Sequence, residues 1–254
     1  MNALPTKNIY FASDAHLGNR YLDDPVAAEK KLVRWMDSIK GDAQAIYFLG
    51  DMFDYWYEYK HVVPRGHVRF LGKLAELCDQ GVEIHLFIGN HDVWMFDYLP
   101  RETGVVIHQG PLIIDLLGKR FFLAHGDEVG KQKPGFRFLQ AMFRNKVCQF
   151  FYSGIHPRWT FGFARRWSLS SRKKGMEKRK QATHDRISAL LLSFSTEYSL
   201  THPDIHFFIF GHCHILFDRK LTGASRMLIA GDWMYLFSYL KWDGNELTVH
   251  QFKD

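Results

Sequence analysis

Cysteine is scarce in this sequence, and long apolar runs are absent. The three cysteines, Cys78, Cys148 and Cys213, are an odd number without disulfide spacing, which is typical of a reducing compartment. No run of about 18 apolar residues occurs, so the sequence predicts no transmembrane helix. Residues 1–8 are largely polar and lack the apolar segment of a signal peptide. Together these absences predict a cytoplasmic protein.

Negative charge is also in deficit, and the positive excess is local. The chain has 33 Lys and Arg against 27 Asp and Glu, a formal charge of +6. Between Arg158 and Lys180 the only acidic residue is Glu177. Such a basic segment attracts phosphate, nucleic acid or an anionic membrane surface. A solvated basic face is the alternative, but many of the aromatic residues, 16% of the chain, fall in the same region and favour a binding role.

What the sequence does contain is five short polar motifs, each at the end of an apolar segment that we predict to be a strand. Strands give rigid positions, and the loops at their ends carry chemistry. The motifs are Ser13-Asp14-Ala15-His16, Gly50-Asp51-Met52-Phe53-Asp54, Ile88-Gly89-Asn90-His91-Asp92, Ala124-His125-Gly126-Asp127 and Gly211-His212-Cys213-His214.

The order of apolar segments predicts an α/β (α+β) fold. In the first half, strands alternate with helices at 26–39 and 70–78, which indicates βαβ units. The later strands are shorter, with turns at Gly118-Lys119 and Asp243-Gly244. Two sheets packed face to face with helices outside fit this count. The predicted strands are 8–12, 43–49, 83–88, 105–108, 111–117, 119–125, 205–210, 217–221, 226–230, 235–242 and 247–252.

Residues 131–185 form a predicted helical insertion between the two parts of the core, 1–130 and 186–254. Its first part carries apolar residues at helical spacing, and its second part is the basic segment. The alternative is that the apolar residues pack on the main core. They are Leu139, Met142, Phe143, Val147, Phe150 and Phe151.

The motif side chains match the ligands of divalent metal ions. Carboxylate and amide oxygens suit hard cations, and imidazole suits Mn, Fe, Ni and Zn. Asp14 and His16 are two residues apart at a strand end, so we expect both side chains on the same side; His212 and His214 repeat this spacing. Two metals about 3.5–4 Å apart need a bridging oxygen ligand. Asp51 is the natural bridge, and Asn90 and His125 remain as further ligands.

Taken in this order, the motifs resemble the calcineurin-like metallophosphoesterase superfamily. The resemblance covers the chain apart from the insertion and implies a four-layer α-β-β-α fold. It also implies that Asp14, His16, Asp51 and His214 hold one metal and that Asp51, Asn90, His125 and His212 hold the second. An activated water would then attack phosphorus in line.

The same resemblance implies two catalytic roles. His91 would face the substrate and stabilise the transition state or protonate the leaving group. Asp54, three residues after Asp51, would orient and charge His91, as the second Asp of this motif does in relatives. The alternative for Asp54 is an ordinary loop or capping carboxylate.

The position and character of the insertion resemble the UDP-2,3-diacylglucosamine diphosphatases of lipid A synthesis. Those enzymes carry a helical lid for two acyl chains and split the pyrophosphate into UMP and a lipid 1-phosphate. The resemblance implies two divalent ions, with manganese as the expected metal, and peripheral contact with the cytoplasmic face of the inner membrane. It implies no nucleic-acid partner and no obligate protein partner. The expected substrate-binding residues are Asn90, His91, Arg172 and Lys173.

Two positions depart from the enterobacterial-type members of that family. Those members carry Arg where this chain has His91, and tend to carry Glu where it has Asp54, so the chain resembles a divergent branch. A phosphodiesterase or nuclease that grips nucleic acid with the basic segment is the alternative enzyme. A non-enzymatic scaffold is a third hypothesis, against which the complete ligand set argues.

Overall fold

The computed structural model of the chain describes residues 7–19, 22–130, 134–160, 162 and 178–253. In this part of the chain the strands are β1 Asn8–Ala12, β2 Ala43–Phe48, β3 Glu83–Phe87, β4 Val106–His108, β5 Leu112–Leu116, β6 Lys119–Ala124, β7 Phe207–Phe210, β8 Leu216–Lys220, β9 Arg226–Ala230, β10 Ser238–Trp242 and β11 Leu247–Gln251. The helices are α1 Pro25–Ile39, α2 Val68–Asp79, α3 Tyr98–Thr103, α4 Pro134–Arg144, α5 Lys146–Ser153 and α6 Lys178–Thr201.

The strands form two mixed sheets. The first has the order β11-β10-β1-β2-β3-β4, and the second has the order β5-β6-β7-β9-β8. Strands β1 to β4 are parallel to one another, as are β6, β7 and β9. Strands β10, β11, β5 and β8 are added antiparallel at the edges. The parallel strands therefore place the loops after β1, β2, β3, β6 and β7 at common sheet ends.

Three apolar clusters separate four layers. Residues of α1 and α2 such as Trp35 and Phe70 pack on one face of the first sheet. The two sheets bury Phe11 and Phe121 between them, with ring centroids 5.7 Å apart. Leu191 of α6 packs on the outer face of the second sheet. The predicted four-layer α-β-β-α sandwich is confirmed.

Local signals explain the first helix. Asp24 caps α1 by accepting hydrogen bonds from the N–H groups of Val26 and Ala27, both at 2.9 Å. Pro25 at the first helical position has no N–H to leave unsatisfied. The apolar spacing that predicted the helix corresponds to its buried face of Leu32, Trp35, Met36 and Ile39.

Three local predictions differ from the structure. The β5–β6 turn consists of Leu117 and Gly118, both with positive φ, and not of Gly118-Lys119. Strand β10 begins only at Ser238, because the Asp232 carboxylate holds residues 234–236 in a turn. The apolar stripe of the insertion is divided at Asn145, whose side chain caps α5. Its two halves are separate helices, α4 and α5.

The boundaries of the insertion remain a proposal. Helix α6 runs continuously from Lys178 through residue 185, where the second core part was predicted to begin. In the described part of the chain, no helix combines the length and apolar character needed to cross a bilayer.

Candidate metal centre

The candidate site lies where the carboxyl ends of parallel strands from both sheets meet. The loops after β1, β2 and β3 come from the first sheet, and those after β6 and β7 come from the second. Ligands of α/β proteins bind beyond such strand ends. The structure brings the seven predicted metal-ligand residues together there: Asp14, His16, Asp51, Asn90, His125, His212 and His214.

Most of these residues have an unusual backbone. Side chains with a Cβ rarely adopt positive φ, and residues held there cluster at functional sites. The side chains of Asp14 and His16 thus converge because of their turn conformations, and not through alternation along β1, which ends at Ala12. Positive φ occurs at Asp14 (56°), His16 (42°), Asp51 (54°), His212 (66°) and His214 (52°).

Asp14, His16 and His214 form the first cluster, with one potential ligand atom of each within 4.8 Å of the others. Asp14 Oδ1 lies 3.8 Å from His16 Nε2 and 3.6 Å from His214 Nε2. The other oxygen of Asp14 accepts hydrogen bonds from Ser13 Oγ and the His212 N–H. Asp14 Oδ1 accepts no hydrogen bond from the described residues although it is buried. This oxygen is therefore placed to meet a cation.

Asp51, His125 and His212 form the second cluster by the same distance. His125 Nε2 lies 3.4 Å from Asp51 Oδ2 and 3.4 Å from Asn90 Oδ1. On the other side of the ring, His125 Nδ1 is 2.7 Å from the Leu49 carbonyl oxygen. A carbonyl only accepts, so Nδ1 carries a proton and Nε2 is the ring atom that faces the cluster.

Asp51 joins the two clusters through one oxygen. Its Oδ2 lies 3.7 Å from His16 Nε2 and 3.4 Å from His125 Nε2. Its Oδ1 accepts the N–H of His91 at 2.8 Å. The carboxylate is thus fixed at one oxygen and directed between the clusters at the other.

His91 lies at the edge of this arrangement. Its Nδ1 is 3.1 Å from the backbone oxygen of Asp54 and 3.9 Å from the Asp54 carboxylate. The Asp54 carboxylate is closer to His16 Nδ1, at 3.6 Å. Asp54 thus lies beside both imidazoles, and its nearest contact with His91 is through its backbone oxygen. His91 also forms a third group with His16 and Asp51 within 4.8 Å.

The carboxylates of the site are ionised in spite of burial. Burial opposes charge on Asp14, but His214 and His16 outweigh it and lower the pKa of Asp14 to about 2. The pKa of Asp51 is also lowered against burial, chiefly by His125 and His91. Ionised carboxylates are the form that binds metals.

The imidazoles divide into two groups. Burial disfavours charge on His16 and His125, yet the neighbouring carboxylates raise both pKa values, that of His16 to about 9. Burial lowers the pKa of His212 and of His214, to about 3 for His214. The positive charge that balances the carboxylates is therefore carried by His16 and His125. Bound metal cations would supply that positive charge instead, because imidazole binds a metal as the neutral base.

Two glycines are required by the close approach of the loops. A Cβ on Gly89 would collide with the carboxylate and backbone of Asp51. A Cβ on Gly211 would collide with Ser13 Oγ and with Asp14. The glycines of both motifs thus make room for ligands carried by other strands.

Sequence reasoning assigned no role to Asp92, which ties two loops together. Its fully buried carboxylate accepts the N–H groups of Gly89 (2.8 Å), Phe53 (3.2 Å) and Asp51 (3.3 Å). Burial and the charge of Asp51 raise the pKa of Asp92 to about 7. The only sequence signal was its place in the Gly-Asn-His-Asp motif, since two of its partners lie about 40 residues away.

Asp232 supports the site from the loop after β9. Its Oδ1 caps the turn at residues 234–236, and its Oδ2 lies 3.9 Å from His214 Nδ1. A carboxylate behind an imidazole orients the ring and increases its basicity. The predicted substrate-binding residues Arg172 and Lys173 lie outside the described residues.

The donor set fits divalent cations. Buried carboxylates, imidazoles and one amide oxygen converge, and Asp14 Oδ1 has no hydrogen-bond donor among the described residues. Mixed oxygen and imidazole donors suit Mn, Fe, Ni and Zn.

Sequence relatives decide the family. The chain is 48% identical over 257 residues to the UDP-2,3-diacylglucosamine hydrolase of Porphyromonas gingivalis, an alignment that covers 97% of this chain and 98% of that protein. The chain belongs to the UDP-2,3-diacylglucosamine hydrolase family. It is 27% identical over 229 residues to the UDP-2,3-diacylglucosamine hydrolase of Aeromonas hydrophila, covering 88% of this chain and 89% of that protein. No family model matches the chain.

Membership in the UDP-2,3-diacylglucosamine hydrolase family makes the chain a hydrolase and confirms the resemblance to that family stated in the sequence analysis. A solved structure, the phosphoesterase Yfce from E. coli, is similar with a TM-score of 0.45 and 14% identity, over 96% of this chain and 92% of that chain. The family assignment rests on the sequence relatives alone.

Proposed function

We propose that the chain hydrolyses the pyrophosphate of UDP-2,3-diacylglucosamine to UMP and 2,3-diacylglucosamine 1-phosphate, a step of lipid A synthesis. The observation that carries the proposal is the 48% identity to a UDP-2,3-diacylglucosamine hydrolase over nearly the full length of both chains. The convergence of metal-ligand side chains at the sheet ends supports it, because pyrophosphate hydrolysis needs positive charge close to the phosphoryl oxygens.

Two divalent cations, manganese in our proposal, would be held by the residues of the two clusters. Asp14, His16, Asp51 and His214 would hold one, and Asp51, Asn90, His125 and His212 the other. When bound, such a pair supplies an activated water and neutralises charge on the phosphoryl oxygens. Asp51 Oδ2, which faces both clusters, is the oxygen that fits the shared position.

His91 would bind the substrate next to Asn90 and act on the reacting phosphate. The contact of its Nδ1 with the Asp54 carbonyl requires Nδ1 to carry a proton. Its Nε2 is then the atom available to the substrate. Burial lowers the pKa of His91, so the second proton, on Nε2, would be held only beside the negative charge of a bound substrate. From there Nε2 would donate to a phosphoryl or leaving oxygen, and Asp54 would hold the ring in place.

The helices α4 and α5 provide surfaces for the rest of the substrate. A cavity of about 90 Å³ beside Asn90 is lined by Gln140 and Arg144 among others, and a guanidinium suits phosphate oxygens. An apolar groove of about 360 Å³ follows, between Trp94 and Ile155. We propose that the groove takes acyl chain, where each buried methylene contributes about 0.8 kcal/mol. Arg172 and Lys173 remain proposed phosphate ligands.

Helix α5 also presents apolar side chains to the surface, and α5 has no buried residue. Large apolar side chains exposed close together in sequence, two of which, Phe150 and Phe151, are in ring contact, are typical of an interaction site. Lys146 and Arg158 are exposed near it and would attract anionic lipid. We propose peripheral contact of this surface with the cytoplasmic face of the inner membrane. The exposed side chains are Phe138, Val147, Phe150, Phe151 and Trp159, each 63–73% exposed.

A substrate comparison tests the proposed function. Purified protein with Mn²⁺ is assayed on UDP-2,3-diacylglucosamine in detergent, on a UDP-sugar without acyl chains, and on single-stranded nucleic acid. The proposal expects the highest kcat/KM on the diacylated nucleotide and no cleavage of nucleic acid. Faster cleavage of nucleic acid would favour the nuclease alternative, in which the basic segment binds the strand.

A further inference from the structure

Two buried side chains of the core donate hydrogen bonds to the backbone of the helix pair α4–α5 (Pro134–Ser153). Trp94 Nε1 donates to the Phe143 carbonyl at 3.0 Å, and the Tyr57 hydroxyl donates to the Gln149 carbonyl at 2.9 Å. Phe143 is in the last turn of α4, where carbonyls have no partner within the helix. These contacts hold the helices by their main chain, so they fix position independently of the helix surfaces.

Tyr152 of α5 completes the attachment. Its ring lies 4.9 Å from the Trp94 ring, at an interplanar angle of 27°, and 4.8 Å from the Tyr57 ring. Its hydroxyl is 3.1 Å from the hydroxyl of Tyr55. On the other helix, the Phe143 ring meets Trp94 edge-on at 5.2 Å. Offset and edge-on aromatic contacts restrict relative orientation as well as distance.

The same two donors are joined to the candidate metal centre. Trp94 follows Asn90 and His91 in one loop, and the buried carboxylate of Asp92 fixes the start of that loop. Tyr57 and Trp94 pair through a β-bridge, and the Glu58 N–H donates to the Trp94 carbonyl at 3.3 Å. The helix pair is thus attached to the segment that carries His91 and not to a distant part of the core.

Phe143 lies between the two spaces available to a substrate. It lines the cavity beside Asn90 and also the apolar groove beyond Trp94. A shift of the Phe143 carbonyl would therefore change the path from one space to the other. Small displacements at such a junction change binding of a long substrate more than binding of a short one.

We propose that Tyr57 and Trp94 are positioning residues that, by holding the carbonyls of Gln149 and Phe143, set the preference of the enzyme for a long, lipid-linked substrate. The inference rests on the proposed function for its substrate, but the attachment itself does not. Neither residue needs to touch the reacting phosphate. Loosening the helix pair weakens binding of the substrate and leaves the reacting groups in place, so KM rises and kcat does not change.

Conservative variants test this. Tyr57→Phe removes one hydroxyl, and Gln149 keeps its place in α5; Trp94→Phe leaves the Phe143 carbonyl with its second donor, Gln149 Nε2 at 2.9 Å. The Phe143 carbonyl thus keeps a donor in Trp94→Phe, and the Gln149 carbonyl lies within helix α5 in Tyr57→Phe, so both variants are expected to fold. Tyr10→Phe is the matched control. Tyr10 is a buried residue of β1, away from α4–α5, and its hydroxyl donates to Asp42.

Each variant is assayed with Mn²⁺ on UDP-2,3-diacylglucosamine and on bis(p-nitrophenyl) phosphate. One lost neutral hydrogen bond corresponds to about a fivefold to tenfold change. We expect KM for the lipid nucleotide to rise by that factor in Tyr57→Phe. For Tyr57→Phe, turnover of the small diester and metal content should not change, nor should the ratio of the two activities in Tyr10→Phe. Trp94 also lines the apolar groove, so Trp94→Phe is judged by hydrogen exchange and not by KM. Equal losses on both substrates, or an unchanged KM, would overturn the proposal.

Amide hydrogen exchange separates this inference from the proposed function. Wild-type protein that cleaves the diester but not the lipid nucleotide would refute the proposed substrate, whatever the variants do. In that case, faster exchange in 134–153 of Tyr57→Phe and Trp94→Phe, with unchanged exchange in the sheets, still supports the attachment. Unchanged exchange in 134–153 refutes it.

Discussion

At the scale of single residues, Asp51 has the most constrained position in the site. One of its oxygens accepts the His91 N–H, and the other faces His16 and His125. We predict that Asp51→Ala abolishes metal binding and turnover together, because both cations lose a shared ligand. Metal content by elemental analysis and initial rates measure the two effects, with Asp115→Ala, at an exposed carboxylate, as control. Retained turnover in Asp51→Ala would contradict the two-metal assignment.

A variant of His91 distinguishes a metal-binding role from a role in catalysis. We predict that His91→Ala keeps its metals and lowers kcat by about 10²–10⁴-fold, the usual contribution of a positioned acid or charge. The measurement is the metal-to-protein ratio beside kcat, compared with His61→Ala at an exposed histidine. Loss of metal in His91→Ala would instead make His91 a ligand, as its place beside His16 and Asp51 allows.

At the scale of elements, β3 and β4 are joined by a pair of neutral histidines. His85 Nδ1 and His108 Nε2 are 2.9 Å apart, and the His85 ring stacks on Tyr47 at 4.3 Å. Burial, and then the proximity of His85, lowers the pKa of His108 to about 4. The folded state therefore resists protonation that the unfolded chain accepts near pH 6.5.

This pair predicts a loss of stability in acid. Because the folded pKa of His108 is depressed, its contribution is complete above about pH 6.5 and is lost as pH falls towards about 4. We expect His108 alone to remove about 2 kcal/mol from the free energy of unfolding between pH 7 and pH 5. Urea denaturation at both pH values measures this. The free energy of unfolding of His108→Gln should depend less steeply on pH than that of the wild type, and that of His61→Gln should follow the wild type. Equal pH dependence in the wild type and His108→Gln would contradict the depressed pKa of His108.

Elements with local signals could be predicted from the sequence. Asp24-Pro25 marked the start of α1, and apolar runs ending in polar motifs located β1, β2 and β3. The features that failed depend on neighbours distant in sequence or on backbone strain. The left-handed φ of Asp14 is not indicated by its residue type, and Asp92 gained its role from partners in the loop after β2. Asn145 is a local signal for the start of α5, but the apolar residues on both sides of it continue at helical spacing, so the sequence did not show that α4 and α5 are separate helices.

At the scale of the whole molecule, the candidate metal centre lies beside the helix pair α4–α5, which carries exposed apolar side chains. We predict that the double variant Phe150→Ser, Phe151→Ser binds less to vesicles containing anionic lipid. The wild-type protein would bury both aromatic rings in the membrane, and the variant loses that apolar burial. Co-sedimentation at fixed ionic strength measures binding. Val68→Ser with Leu200→Ser is the control, since these side chains are also exposed, at 74% and 64%, but lie on α2 and α6. Equal loss in both double variants would remove α5 as the contact surface.

The central claim is that this chain cleaves the pyrophosphate of a lipid-linked nucleotide. The most direct measurement follows products from UDP-2,3-diacylglucosamine by mass spectrometry, with Mn²⁺ and again after chelation. We predict UMP and 2,3-diacylglucosamine 1-phosphate in equal amounts with Mn²⁺, and neither product after chelation. Release of UDP and free diacylglucosamine, or no product from a sample that still cleaves a generic diester, would contradict it.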